Sequence, residues 1–348
     1  MEHRLAEVGV RQLPGQARIQ RSGTELVVEV RHSGAARSLR ADFVIGATGS
    51  VAVLPPGAAP DGSRVLLPRH LPGDAPPPQP LALLGAGVAG TEFATALAHL
   101  GLKVQLISPS RQILPAFSET AAKMVEAALI VAGDRVLHGF RAAEVRARRD
   151  GVMIVAEDGR SLEAASVLLN VGRAPLLDSF ADLSGQQGSD AGARFGLAGD
   201  ALGGSVMTEG AARRSGGDAA RRLLGGSGHR WDPSAEGCVA FSLPPVAAFG
   251  PNPDAPTPGV RRRTLDQGVP LSGRLSPESI HAATALVNGV GHLVGLEAIG
   301  ECAVELLTAG RSSSPRWVVL RHSSSGSAWS RRAWSTCFAN SSRAPRAE

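Results

Sequence analysis

The chain has 348 residues, 43% of them hydrophobic and 19% charged, which implies two or three domains with an ordinary soluble, globular core. This excludes wholesale disorder, a collagen-like chain and a disulfide-stapled miniprotein, and no run approaches the ~18 apolar residues of a membrane helix. The net charge of +5 is concentrated at one end: residues 311–348 carry seven Arg and one Glu, so the rest of the chain sums to −1.

All basic residues except Lys103 and Lys123 are Arg, and Tyr is absent, which points to coding bias and not to a basic binding surface. The first residues, MEHRLAEVGV, have no apolar signal-peptide region, so a cytoplasmic protein without a membrane partner is expected. Cys238, Cys302 and Cys337 form no CxxC or CxxxxC pair, so neither a metal knuckle nor a vicinal dithiol is encoded.

Residues 22–48 alternate in the manner of β-structure through Leu26, Val28 and Val30, then reach the apolar run Phe43, Val44, Ile45. Residues 54–80 are rich in Pro and Gly and read as a linker. A short apolar strand follows at LALL (81–84), then GAGVAGTEFATALAHLG. From Gly90 the pattern is helical, with Phe93, Leu97 and Leu100 on one face and Gly101 as the C-terminal stop. KVQLI (103–107) is the next strand, SETAAKMVEAALIVAG a second amphipathic helix, and GVMIVAEDG and SVLLNVG two further strands. Residues 80–173 thus predict a doubly wound parallel α/β sheet. Beyond it lie a Gly/Ala/Asp-rich stretch with a helix at EGAARRSGGDAARRLLG, a strand and turn at 237–250, and a strand, glycine turn and helix at 290–307. After Gly310 all periodicity ends in Ser- and Arg-rich text that reads like a shifted frame.

The strongest local signal is Gly85, Ala86, Gly87, Val88, Ala89 and Gly90 between a strand and a helix. The first glycine permits a tight turn, the second lets a diphosphate approach the backbone, and the third lets helix pack on strand. The helix N-terminus then offers N–H groups and its dipole to the phosphates. A glycine-rich turn without a ligand is the alternative. The next strand ends in Ser108, Pro109, Ser110 and Arg111, with no carboxylate for the ribose of NAD. The three glycines lean toward NAD, and the missing acid and Arg111 lean toward NADP. No His stands in a recognisable catalytic spacing: His99 suits a helix C-terminus, and His138, His281 and His292 read as structural. Arg and Trp near the C-terminus do not amount to a nucleic-acid site.

Five motifs in order carry a family resemblance: ATGS (47–50), GAGVAGTEFA (85–94), NVGRAP (170–175), LAGDALGG (197–204) and VGLEAIGECAVELL (294–307), with FSLPPVAAFG (241–250) between the last two. Together they resemble the pyridine nucleotide–disulfide oxidoreductases over about residues 8–310. LISPSRQILPAF (106–117) and the GECAVELL ending look most like the soluble, FAD-containing NAD(P) transhydrogenases, with mercuric reductases and dihydrolipoamide dehydrogenases close by.

The resemblance implies FAD and NAD or NADP as cofactors and a homodimer. It implies a Rossmann-like nicotinamide domain (76–175) inserted in a partial FAD domain (1–75 and 176–232), an α+β interface domain (236–310), and an unstructured tail (311–348). It places Thr48, Gly49 and Ser50 near FAD, Asp200 on the ribityl chain, and Val206, Met207, Thr208 and Glu209 past the flavin ring. It gives Gly85 to Glu92 to the nicotinamide nucleotide, with Gly172 beside it, and sets Glu92 near the nicotinamide–flavin contact; Ser108, on the residues alone, is the expected hydrogen-bond partner of the ribose. The family's first glycine motif and its His-Pro…Glu ending are not found, so an N-terminally truncated chain with a divergent end is expected. A transhydrogenase needs no dithiol, because hydride passes from nucleotide to flavin to nucleotide.

Overall fold

The computed structural model describes residues 2–23, 25–71, 75–183, 194–204, 207–227, 231–233, 236–266, 282–301 and 303–304. The expected tail, Val206, His281, Cys302, Cys337 and most of the last expected helix lie outside them. The first half contains α1 (Glu2–Glu7), β1 (Gln16–Ser22), β2 (Glu25–His32), β3 (Ala35–Ala41), β4 (Val44–Gly46), β5 (Ser50–Ala52), β6 (Val65–Leu66), β7 (Leu81–Leu84), α2 (Val88–His99), β8 (Val104–Ile107), α3 (Glu119–Val131) and β9 (Arg135–Leu137). Then come β10 (Ala142–Arg148), β11 (Gly151–Ala156), β12 (Ser161–Ala164), β13 (Ser166–Leu169), β14 (Arg173–Pro175), β15 (Phe195–Leu197) and α4 (Glu209–Leu223). The last strands are β16 (Gly237–Ala240), β17 (Val246–Phe249), β18 (Val260–Asp266), β19 (Ala282–Asn288) and β20 (Leu293–Ile299). They form two units, one of Met1–Val51 with Arg173–Pro233 and one of Ala52–Gly172 with Ser234–Glu348.

In the first unit β1, β2 and β3 form an antiparallel meander, with Gln16 opposite Arg31 and His32 opposite Ala35. Its small core gathers Ile19, Leu26, Phe180 and Leu183, with the Phe180 and Phe195 rings 5.4 Å apart. β4 and β15 run parallel.

In the second unit five parallel strands stand in the order β6-β13-β7-β8-β9. LALL is buried on both faces, as the central strand of such a sheet must be. Its alternation sorts the core. Leu81 and Leu83, with Leu106 of β8, face α2 and α3 through Ala94, Leu97, Ala121, Val125 and Leu129. Ala82, Leu84 and Ile107 face the opposite side, against Val145, Val152 and Ile154. At about 25 cal/mol per Å² of apolar surface removed from water, these two layers hold the sheet.

The fold class is therefore the expected mixed α/β with a parallel sheet, and four details differ from expectation. The stretch GVMIVAEDG is not in the parallel sheet; it is β11, the middle of an antiparallel meander β10-β11-β12 that covers one face in place of a crossover helix. Local alternation identifies a strand but not its partner. Within the expected linker, Val65, Leu66 and Leu67 are buried, and β6 forms the sheet's edge; an edge tolerates the flanking prolines. Helix α2 starts at Val88, not Gly90, with Gly87 as N-cap. Finally, Leu100 is 76% exposed, because α2 buries Gly90, Thr91, Ala94, Thr95 and Leu97 instead. Gly101 does stop the helix: its N–H donates to Ala98 O, the Leu102 N–H donates to Leu97 O, and its φ is 79°.

The remaining strands make an antiparallel sheet, β16-β17-β20-β19-β18, whose Ala240, Val246 and Ile299 join the α2–α3 core. Among the described residues, no helix is long and apolar enough to cross a membrane.

Candidate functional site

The site begins where β7 ends. Gly85 leaves the strand at φ 108°, and its N–H donates to Ile107 O at 3.0 Å. A Cβ there would lie 2.2 Å from Asn170 O, so no other residue fits. At Gly90 a Cβ would lie 1.8 Å from Gly85 O, so this glycine sets how closely α2 packs on the turn. Gly87 is different: its φ is −74°, and a Cβ would meet nothing within 4 Å.

No side chain caps the start of α2. By contrast, the Ser118 hydroxyl accepts from Ala121 N–H to cap α3, and Thr208 accepts from Ala211 N–H to cap α4. The first N–H groups of α2 are therefore left without an N-cap side chain beside the open space at Gly87, and its first turn holds no acidic residue, an arrangement suited to an anion. The space belongs to a cleft of about 470 Å³ bounded by residues 85–87, 108–110, 140–142 and 170–172, with Val53, Leu54 and Pro115 on its apolar walls. A diphosphate fits this cradle: a side chain at Gly87 would fill it, and the donors are in place.

The other residues expected here are all close by. Ala86 is buried, and its carbonyl accepts from Leu114 N–H. Val88 packs against the core, Ala89 is exposed, and Thr91 is fully buried. Gly172 lines the cleft at φ 123° and accepts from Val53 N–H at 3.0 Å. Ser108 is only 1% exposed; its hydroxyl donates to Gln112 O at 2.9 Å and accepts from Ser110 N–H at 3.2 Å. Glu92 accepts from Phe241 N–H at 2.9 Å. Burial, helped by Glu92, pushes the Cys238 thiol above its ordinary value.

Spacing alone could not show three further contacts. Glu297 is 2% exposed and accepts from the Ser118 N–H at 2.8 Å and from the Ser118 hydroxyl, tying β20 to the start of α3. Burial raises its carboxyl above the ordinary value, although the Ser118 bonds oppose this. The His138 Nε2 lies 2.7 Å from Glu126 Oε1. Asp134, raised by burial, accepts from Val104 N–H and joins the end of α3 to β8. His99 holds Thr95 O through Nδ1. Among the described residues, no group of three or more His, Cys, Asp or Glu could hold a metal.

The residues expected near FAD meet in the first unit. The Thr48 hydroxyl donates to Leu176 O at 2.5 Å, and Leu176 N–H donates to Gly49 O. The Ser50 hydroxyl donates to Asp200 Oδ2 at 2.6 Å and accepts from Arg173 Nε at 2.7 Å. Three sequence motifs, ATGS, NVGRAP and LAGDALGG, thus converge on one hydrogen-bond network. Met207 is half-buried, Thr208 caps α4, and Glu209 pairs with Arg213 at 2.8 Å. These groups suit the polar flank of a flavin. Among the described residues of this unit, no strand passes through a glycine turn directly into an α-helix.

A parallel sheet whose central strand exits through three glycines into a helix defines an α/β protein of Rossmann type. The model of the pyridine nucleotide-disulphide oxidoreductase family matches residues 3–192, and the chain belongs to that family, whose members are FAD- and NAD(P)-dependent. The chain is 34% identical over 142 residues to an NAD(P)H dehydrogenase (quinone) of Mycobacterium tuberculosis, covering 41% of this chain and 29% of that relative. It is 30% identical over 158 residues to dihydrolipoyl dehydrogenase 3 of Pseudomonas putida, covering 44% and 34%. The matches thus span about a third of the length of these curated relatives. In fold it is similar to LpdA of Mycobacterium tuberculosis, with TM-score 0.76, 24% identity, and 88% of this chain and 71% of that one covered. It is also similar to the HOCl-induced flavoprotein disulfide reductase RclA of Escherichia coli, with TM-score 0.72, 18% identity, and 97% and 81% covered.

Proposed function

We propose that this chain binds a nicotinamide dinucleotide at the turn after β7 and serves an FAD-dependent oxidoreductase in which hydride passes between NAD(P)H and flavin. The observation that carries the reading is the uncapped start of α2 beside a glycine with open space where a Cβ would stand. Residues 85–90 hold the diphosphate through N–H groups at that helix start. Val171 and Gly172 close the cleft beside it. The nicotinamide ring, when bound, supplies the hydride. Glu92 is a positioning residue: through Phe241 N–H it fixes the first turns of α2 against the segment after β16.

In this reading residues 76–175 are the nicotinamide domain, 1–75 and 176–232 the flavin side, and 236–310 the interface domain of a homodimer. Thr48, Gly49, Ser50, Asp200, Met207, Thr208 and Glu209 lie on the flavin side. Transhydrogenation is the finer form of this reading. The curated relatives suggest a quinone or a dihydrolipoyl group as other partners of the flavin. The mutual bonding of Ser50, Asp200 and Arg173, which satisfies these groups without a ligand, favours a second reading, a protein that binds the nicotinamide nucleotide and carries no flavin.

The visible spectrum of the purified chain, followed by titration with NADH and NADPH, separates the two. A flavin band bleached by NAD(P)H supports the first reading. A colourless protein with saturable nucleotide binding supports the second. A colourless protein that binds neither nucleotide ends both. For transhydrogenation itself, the yellow protein should pass hydride from NADPH to a thio-NAD⁺ acceptor, and failure to do so removes that finer form.

A further inference from the structure

Resting on the dinucleotide reading, we propose that the cleft selects the 2′-phosphorylated nucleotide, NADPH, and that Arg141 is the specificity-determining residue. The adenosine ribose of a nucleotide bound at such a turn lies beyond the end of the next strand, here β8. A carboxylate there would accept both ribose hydroxyls and repel a phosphate. This chain has Ser108 instead. Its hydroxyl proton is already donated to Gln112 O, and the side chain is buried in its own loop. The loop therefore offers a 2′-hydroxyl no acceptor from Ser108 and a 2′-phosphate no opposing charge.

Arg141 supplies the attraction. The chain after β9 is fastened to the β8 loop by two backbone bonds, Gly139 N–H to Ser110 O and Phe140 N–H to Ser108 O, each 3.0 Å. Arg141 follows at once and lines the cleft. The acid beside it is Glu157, whose Oε2 is 3.8 Å from Nε, with both side chains 63% exposed. Such an open pair is worth little and leaves the guanidinium fork available to a phosphate. The neighbouring Arg160 is committed elsewhere: it pairs with Asp158 at 2.7 Å, donates to Gly139 O and lies 5.3 Å over the Phe140 ring. Arg111, on the β8 loop, is exposed and is not among the residues that line the cleft.

The test is calorimetric titration of the full chain with NADPH and with NADH at one fixed low salt concentration, for wild type, Arg141→Ala, Arg141→Lys and Arg111→Ala. Wild type should bind NADPH about tenfold or more tightly than NADH. Arg141→Ala should bring that ratio to within about threefold, by weakening NADPH more than NADH, with thermal unfolding unchanged, as expected for an exposed side chain. Arg141→Lys should restore part of the preference, and Arg111→Ala should keep it. As an independent probe, 2′,5′-ADP should compete better than 5′-AMP against wild type and lose that advantage in Arg141→Ala. Equal or tighter NADH binding by wild type overturns the proposal and leaves the dinucleotide reading standing. Collapse of the ratio in Arg111→Ala with none in Arg141→Ala overturns the assignment to Arg141. Binding of neither nucleotide ends the dinucleotide reading itself.

Discussion

Two helix starts in this chain are built on opposite principles. In the second unit, α2 begins at a glycine with no capping side chain and open space beside it. In the first unit, α4 begins at Thr208, whose hydroxyl accepts from Ala211 N–H. At the start of α2 the N-cap residue offers the first N–H groups no side-chain acceptor. In the first unit, Ser50, Asp200 and Arg173 bond to one another. A site that binds an anion leaves donors unsatisfied; a network that holds loops together satisfies them. The contrast makes the second unit the place to look for affinity for a nicotinamide nucleotide, while the polar network of the first holds its own loops together.

The largest effect should come from Gly90→Ala. The new Cβ would stand 1.8 Å from Gly85 O, forcing α2 off the sheet. A loss of about 3 kcal/mol in thermal or urea unfolding is expected, together with loss of nucleotide binding. Wild-type stability in this variant would mean that the turn is not packed as described.

Next is Glu297→Ala, which leaves the Ser118 N–H and hydroxyl without their partner in a buried place. The expected cost in urea unfolding is about 2 kcal/mol. Burial raises Glu297 and Asp134 above their ordinary values, so the folded protein holds those protons more tightly than the unfolded chain does. Stability should therefore fall as pH rises from the ordinary Glu value of 4.5 through the raised folded value. Glu297→Gln should flatten that slope, and an unchanged slope would contradict the assignment.

Asp61 has the opposite sign. Burial alone would raise it, but the N–H groups of Ser63, Arg64 and Val65 outweigh burial and hold it at about 2. Its contribution is present above the ordinary value of 3.8 and is lost as pH falls toward 2. Asp61→Ala should cost about 1 kcal/mol at neutral pH, read in the same unfolding experiment. Asp200→Ala should cost a similar ~1 kcal/mol and change nucleotide affinity by less than about twofold; a large loss of affinity would break the contrast between the two units. The smallest effect is expected of Leu100→Ala, within about 0.5 kcal/mol, because that side chain is 76% exposed.

The turn after β7 was legible because its causes are local: three glycines, an apolar strand before them and a helical period after. Gly101 as a stop and the helix from Glu119 were legible for the same reason. Leu100 lies off the buried stripe, since three apolar positions at helical spacing do not say which stripe of the helix meets the sheet; small residues, Ala94 and Thr91, are the ones fully buried. The meander β10-β11-β12 was hidden because an alternating strand has the same pattern whichever sheet it joins. The Glu297–Ser118 contact spans 179 positions, and no spacing rule reaches that far. Arg141 gave no signal in the sequence; only the bonds from Gly139 and Phe140 to the β8 loop bring it to the cleft.

The central claim is that the open side of Gly87 receives a dinucleotide's diphosphate. Its most direct test is titration of the full chain with NADPH, set beside Gly87→Val, in which side-chain atoms enter the space where a Cβ now meets nothing within 4 Å. Saturable one-to-one binding by wild type, weakened about a hundredfold or more in a variant that unfolds at the wild-type temperature, is the predicted result. Equal binding by both proteins, or none by wild type, would contradict it.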